Sequence, residues 1–162
     1  MKKSIIFLSV ITLLFSCSKK KEDTVVGVVV DTSVDLKVTN QAGEDLLNPE
    51  TNGAYDHSHI WIYYLENGEV KLYEGGANMD HPRGFFIFDG PDNFKNIRIF
   101  LNSSEKESYP VTYVKWNETD MDTIKTHYKR TETLTVLDSI WYNGTLRWSF
   151  DMNVRHDLEI VK

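Results

Sequence analysis

His57 and His59 stand one residue apart, and His81 follows Asp80; these residue types suggest metal chemistry. Imidazoles at i and i+2 share one face of an extended strand, and a third ligand from elsewhere would complete a zinc site. No spacing fixes that third ligand. A polar strand end after Tyr55-Asp56, with the histidines facing solvent, accounts for the pair without a metal, so no metal is assigned. Asp89-Gly90-Pro91-Asp92-Asn93 and Glu118-Thr119-Asp120-Met121-Asp122 offer oxygens that calcium favours. Neither has the EF-hand spacing, and Asp and Asn in such runs form turns through their own side chains. The chain has no nucleophile elbow, no paired-histidine zincin motif, no phosphate-binding glycine loop and no Cys-x-x-Cys. No catalytic residue and no cofactor is assigned.

Aromatic residues carry a different signal. In Ile60-Trp61-Ile62-Tyr63-Tyr64-Leu65 one strand face holds Ile60, Ile62 and Tyr64, and the other holds Trp61, Tyr63 and Leu65. One face of a strand in a two-layer sandwich looks inward. Trp61 and Tyr63 are therefore the candidate ligand-binding residues, suited to stacking on sugar rings or packing against a protein. The plainer alternative is that the fold itself covers them, as it covers most large aromatics. Trp116, Trp141 and Phe86 pose the same choice.

The single cysteine, Cys17, has no intramolecular disulfide partner. Before it come Met1-Lys2-Lys3 and an uncharged run from Ile5 to Phe15, too short for a bilayer span of about 20 residues. A basic start and a short apolar run describe a secretory signal, but the usual small-x-small cleavage site is missing. Leu14-Phe15-Ser16-Cys17 stands in its place and resembles the lipobox of bacterial lipoproteins. That resemblance implies cleavage before Cys17, acylation of its sulfur and new amino terminus, and a membrane held as partner. Phe15 departs from the smaller residue more usual there. Ser18 in place of aspartate favours the outer membrane by the same resemblance; periplasmic face or cell surface stays open. As a whole the chain resembles small lipoproteins of Bacteroidota whose function is unknown.

Three segments follow from this: a signal peptide over 1–16, the lipidated Cys17 and a tether with a candidate edge strand over 17–32, and one domain over 33–162. Ser18-Lys19-Lys20-Lys21-Glu22-Asp23-Thr24 has charge without apolar pattern, as a solvated tether does. Val25 to Val30 then reads as a short strand that needs pairing to avoid aggregation. Beyond it the hydrophobic period is two nearly throughout. Asn67-Gly68 and Asn143-Gly144 mark type I′ hairpins. Leu146, Trp148 and Phe150 alternate with Thr145, Arg147 and Ser149, which predicts an inward Trp148. About nine short strands with regular turns predict an all-β fold: a single antiparallel β-sandwich, immunoglobulin-like or transthyretin-like.

Cleavage leaves 146 of the 162 residues, enough for one ordinary core. Losing Lys2 and Lys3 takes the formal net charge from −6 to −8. An acidic domain without a basic patch argues against nucleic acid as partner. The leading expectation is a lipid-anchored, non-catalytic binding or accessory module for a glycan or an envelope protein. The alternatives are a structural or assembly subunit of an outer-membrane complex and a small envelope hydrolase.

Overall fold

The computed structural model describes residues 27–75, 79–152 and 156–162. Cys17, the segment before it and Val25-Val26 lie outside the described residues. The period-two pattern becomes eleven strands among those residues: β1 (Val29–Asp31), β2 (Ser33–Thr39), β3 (Trp61–Glu66), β4 (Glu69–Leu72), β5 (Phe85–Asp89), β6 (Lys95–Phe100), β7 (Val111–Lys115), β8 (Met121–Thr131), β9 (Leu134–Tyr142), β10 (Thr145–Ser149) and β11 (Asp157–Val161).

The larger sheet runs β1-β9-β8-β7-β3-β4, with β10 sharing the outer edge of β9 with β1; the smaller runs β11-β2-β6-β5. Their inner faces meet in one core. Val34, Leu36, Val38, Ile97, Ile99 and Ile160 come from the smaller sheet, and Ile62, Val114, Ile124, Leu137 and Ile140 from the larger. Each such side chain contributes about 1.5–3 kcal/mol by leaving water. The all-β sandwich expected from the pattern is the architecture observed.

Both hairpins form where Asn-Gly stands. Asn67 and Gly68 have φ of 52° and 82°, and Asn143 and Gly144 have 48° and 81°. Two consecutive positive φ values match the twist of the flanking strands, which is why this dipeptide closes two-residue hairpins.

Two pairings are parallel, β1 with β9 and β2 with β11, so both sheets are mixed where an antiparallel sandwich was expected. The chain crosses from one sheet to the other at Thr32, whose carbonyl accepts from the Leu101 amide at 2.8 Å. Of the edge strand expected over Val25–Val30, Val29 and Val30 lie in β1, which pairs with β9, while Gly27 and Val28 are outside it.

A second difference concerns β10. Its register against β9 shifts between Leu146 and Trp148. The irregularity turns Leu146 to the outer face, while Trp148 keeps its predicted inward place. A 3-10 turn, Phe150–Met152, ends the strand and leaves Phe150 62% exposed. The extra residue of a bulge breaks strict alternation, so the three residues do not share one face.

Candidate binding face

The outer face of the larger sheet carries three cross-strand rows. Leu72, Tyr63, Tyr113 and Thr123 are successive partners across β4, β3, β7 and β8. Trp61, Lys115 and Met121 form the next row. Val111, Lys125, Trp141 and Leu146 form the third, with Leu65 and Val70 paired on the β3–β4 side. Side chains on one face of paired strands touch their partners, so each row is a contiguous strip. Among the described residues no second layer covers these strips: Val70, Leu72, Met121 and Leu146 are all exposed.

Trp61 is 37% exposed, and a cation occupies part of its surroundings. The Arg83 guanidinium lies 4.5 Å from its ring centroid and 5.1 Å from that of Phe85. Arg83 donates from Nη1 to the His57 carbonyl at 3.0 Å and from Nη2 to that of Ser58 at 2.9 Å, and also to that of Ile60. A planar fork with several donors fits such a cluster of carbonyls where lysine would not. Gly84 follows at φ 77°, and a Cβ there would meet the Tyr73 ring at 2.8 Å. Glycine at this point lets the loop return so that Arg83 can reach back over Trp61.

Tyr63 is half-buried between Leu72 and Tyr113. It lines a shallow hollow of about 420 Å³ with Val70, Lys115, Glu118 and Met121. Farther across the face, Lys125 Nζ lies 4.8 Å from the Trp141 centroid and 5.6 Å from that of Tyr109. Tyr109 meets Trp141 edge-on at 5.8 Å and tilts against His127 at 5.3 Å. His127 Nδ1 is 2.9 Å from Asp138, and this hydrogen bond holds the Asp138 carboxyl below the usual aspartate range.

The smaller sheet also has aromatics outside, but they satisfy one another. Arg98 makes two 2.6 Å hydrogen bonds to Asp35 and lies 5.7 Å from both Phe86 and Phe88. His81 stacks on Phe86 at 4.3 Å. This patch is a small packed cluster with its charges paired, so it offers less to a partner than the rows opposite.

The histidine pair is not on a strand. Residues 57–59 form a 3-10 turn, Asp56 caps it by accepting from the Ser58 amide, and the two rings diverge. His57 Nε2 contacts the Leu47 carbonyl at 2.8 Å, while His59 Nδ1 lies 3.3 Å from Asp56. Among the described residues no group of three or more His, Cys, Asp or Glu side chains converges as a metal site would. Trp116, one of the undecided aromatics, is fully buried, and Trp141 and Phe86 are half-exposed on opposite outer faces.

Sequence reasoning missed the polar network at one end of the core. Asp122 is 4% exposed and accepts from Trp116 Nε1 at 2.6 Å, Asn143 Nδ2 at 2.7 Å, the Tyr142 hydroxyl and Lys162 Nζ. Lys162 Nζ also reaches Asp120 at 2.8 Å, and Asp120 accepts from the Tyr55 hydroxyl at 2.5 Å. Burial pushes the Asp122 carboxyl up, but the donations from Lys162, Tyr142, Asn143 and Trp116 outweigh it and hold it below the usual range. Burial likewise raises the Tyr55 and Tyr142 hydroxyls, with the carboxylates adding to it. The signal was present only as the acidic run Glu118–Asp122; nothing local tied it to a lysine forty residues on. Both carboxylate oxygens of Asp122 accept hydrogen bonds from the protein.

Comparison of the chain with protein-family models, curated proteins and solved structures found no match in any of the three.

Proposed function

We propose that this protein is a lipid-anchored lipoprotein of the bacterial cell envelope, held at the outer membrane through Cys17. It acts as a non-catalytic binding module whose outer sheet face takes a glycan or an envelope protein. One observation carries the binding part: three aromatic and aliphatic strips on the larger sheet, interleaved with Lys115, Lys125 and Thr123, have no second layer over them among the described residues. Uncovered apolar surface of this kind on a β-sandwich marks an interaction site. Flat rings beside hydroxyls and ammonium groups suit sugar rings, whose apolar faces stack while their hydroxyls find donors. The anchor rests on the Leu14-Phe15-Ser16-Cys17 motif and its flanks.

The test compares the wild-type protein with the Trp61→Ala/Tyr63→Ala double variant. Retardation in gels containing envelope polysaccharides reads glycan binding, and photocrosslinking from Met121 in intact cells reads a protein neighbour. Loss of either signal in the variant, with an unchanged circular dichroism spectrum, supports the assignment. Signals that survive in the variant would refute it.

A further inference from the structure

The two partial strands on the outer edge of β9 leave a gap. β1 pairs with Leu134–Val136 and β10 with Ser139–Tyr142, so among the described residues Leu137 and Asp138 have no partner strand on that side. Over the gap lies an apolar groove of about 470 Å³, lined by Leu134, Val136, Leu137, Trp148 and Phe150, with Lys129, Asp31 and His156 at its rim. His156 Nε2 is 3.4 Å from Asp31, which ties β1 to the residue that leads into β11.

Several apolar residues near this groove are turned to solvent. Val28, Val29, Val30, Phe150 and Met152 are 69%, 54%, 65%, 62% and 46% exposed. Val28 leads into β1, and Val29 and Val30 are its first two residues; uncovered valines along an edge strand are the pattern that soluble proteins avoid. Here they stand where the tether enters the domain. Nine residues separate Cys17 from Gly27, so the anchor lies within about 35 Å of this edge even if they are fully extended. The tether also holds Lys19, Lys20 and Lys21, and lysines next to a membrane gain from anionic headgroups.

We infer that the β1–β10 edge is a membrane-resting surface, with Val29, Val30, Phe150 and Met152 seated at the headgroup–acyl boundary of the bilayer that holds the anchor. The inference rests on the lipid-anchor reading of Cys17 and adds an orientation to it. Burying an apolar surface of this kind in the interface is favourable in the same way as for an amphipathic helix laid on a membrane. It also places the binding face usefully. Trp61 and Tyr63 sit on β3, four strand spacings from this edge, which is about 19 Å at the usual interstrand distance. The domain would lie with its aromatic rows clear of the lipid.

The experiment uses the lipidated full-length protein reconstituted in phosphatidylethanolamine–phosphatidylglycerol vesicles. Single cysteines introduced as Val29→Cys, Phe150→Cys and, on the opposite edge, Val70→Cys carry an environment-sensitive fluorophore. Nitroxide-bearing lipids are expected to quench the labels at 29 and 150 several-fold more than the label at 70. Equal quenching at all three positions, with the protein floating with the vesicles, overturns the inference and leaves the anchor standing. A wild-type protein that takes up label at Cys17 and fails to float overturns both. An Asp double variant, Val29→Asp/Phe150→Asp, retains flotation through the anchor but is expected to become as accessible to a soluble quencher at residue 30 (Val30→Cys) as at residue 70; no change in that accessibility also counts against the inference.

Discussion

Trp116 Nε1 donates to Asp122 at 2.6 Å inside the core, so the largest fully buried side chain is held by a carboxylate that carries charge. Lys162 supplies the countercharge from beyond β11 and thereby ties the smaller sheet to the larger. A buried ion pair adds little over an apolar replacement, but removing one partner leaves the other charge unpaired and costs about 3–5 kcal/mol. Lys162→Met is therefore expected to lower stability by about 3 kcal/mol in urea denaturation. Asp122→Asn added to it should recover part of that loss, because the orphaned charge is gone. A Lys162→Met protein as stable as wild type would show that the network carries no such weight.

The same carboxylate sets a pH dependence. Asp122 has a folded pKa below its unfolded value of about 3.9. Its contribution is then fully present above pH about 4 and is lost as pH falls below that, through the folded value. Acid unfolding followed by tryptophan fluorescence is expected to begin below pH 4 in the wild type. In Asp122→Asn the part of the slope due to this group should disappear. An unchanged slope in the variant would assign acid sensitivity to other carboxylates.

Arg83 links the fold to the candidate face. Its guanidinium satisfies the carbonyls of His57, Ser58 and Ile60 while lying over Trp61. Charged hydrogen bonds contribute about 1.5–3 kcal/mol each, less where water can replace them. Arg83→Met is expected to cost about 2 kcal/mol in stability and to loosen the 57–59 turn. Faster amide exchange at His59, whose N–H donates to Asp56, is the local readout. Retarded exchange there, or none above wild type, would contradict the clamp.

Legibility followed the range over which each signal acts. Alternation in β2 and β3 and the two Asn-Gly turns are encoded within a few residues, and those strands and hairpins stand where the pattern put them. Trp61 and Tyr63 were legible as outward residues for the same reason, since Ile62 and Tyr64 claim the core side. Parallel pairing of β1 with β9 and β2 with β11 has no local turn to announce it. The Arg83 cap and the Lys162 clamp join residues far apart in sequence. His57 and His59 misled because a capped 3-10 turn and the first residues of a strand look alike in a short polar stretch.

The bulge in β10 makes the last prediction, because strict alternation gives the opposite answer. Leu146, Trp148 and Phe150 would all be core residues under a period of two, and truncating any of them would cost several kcal/mol. In the sandwich only Trp148 is buried, while Leu146 is 45% exposed and Phe150 more so. Trp148 lies opposite Ile140 and packs 5.5 Å from the His156 ring, so Trp148→Ala should leave a cavity and cost about 3–5 kcal/mol. Leu146→Ser and Phe150→Ser should each change stability by about 0.5 kcal/mol or less, as exposed substitutions do. Urea midpoints for the three variants decide the matter. Comparable losses at all three positions would restore the unbroken strand, and a large loss at Trp148 alone would confirm the shift in register.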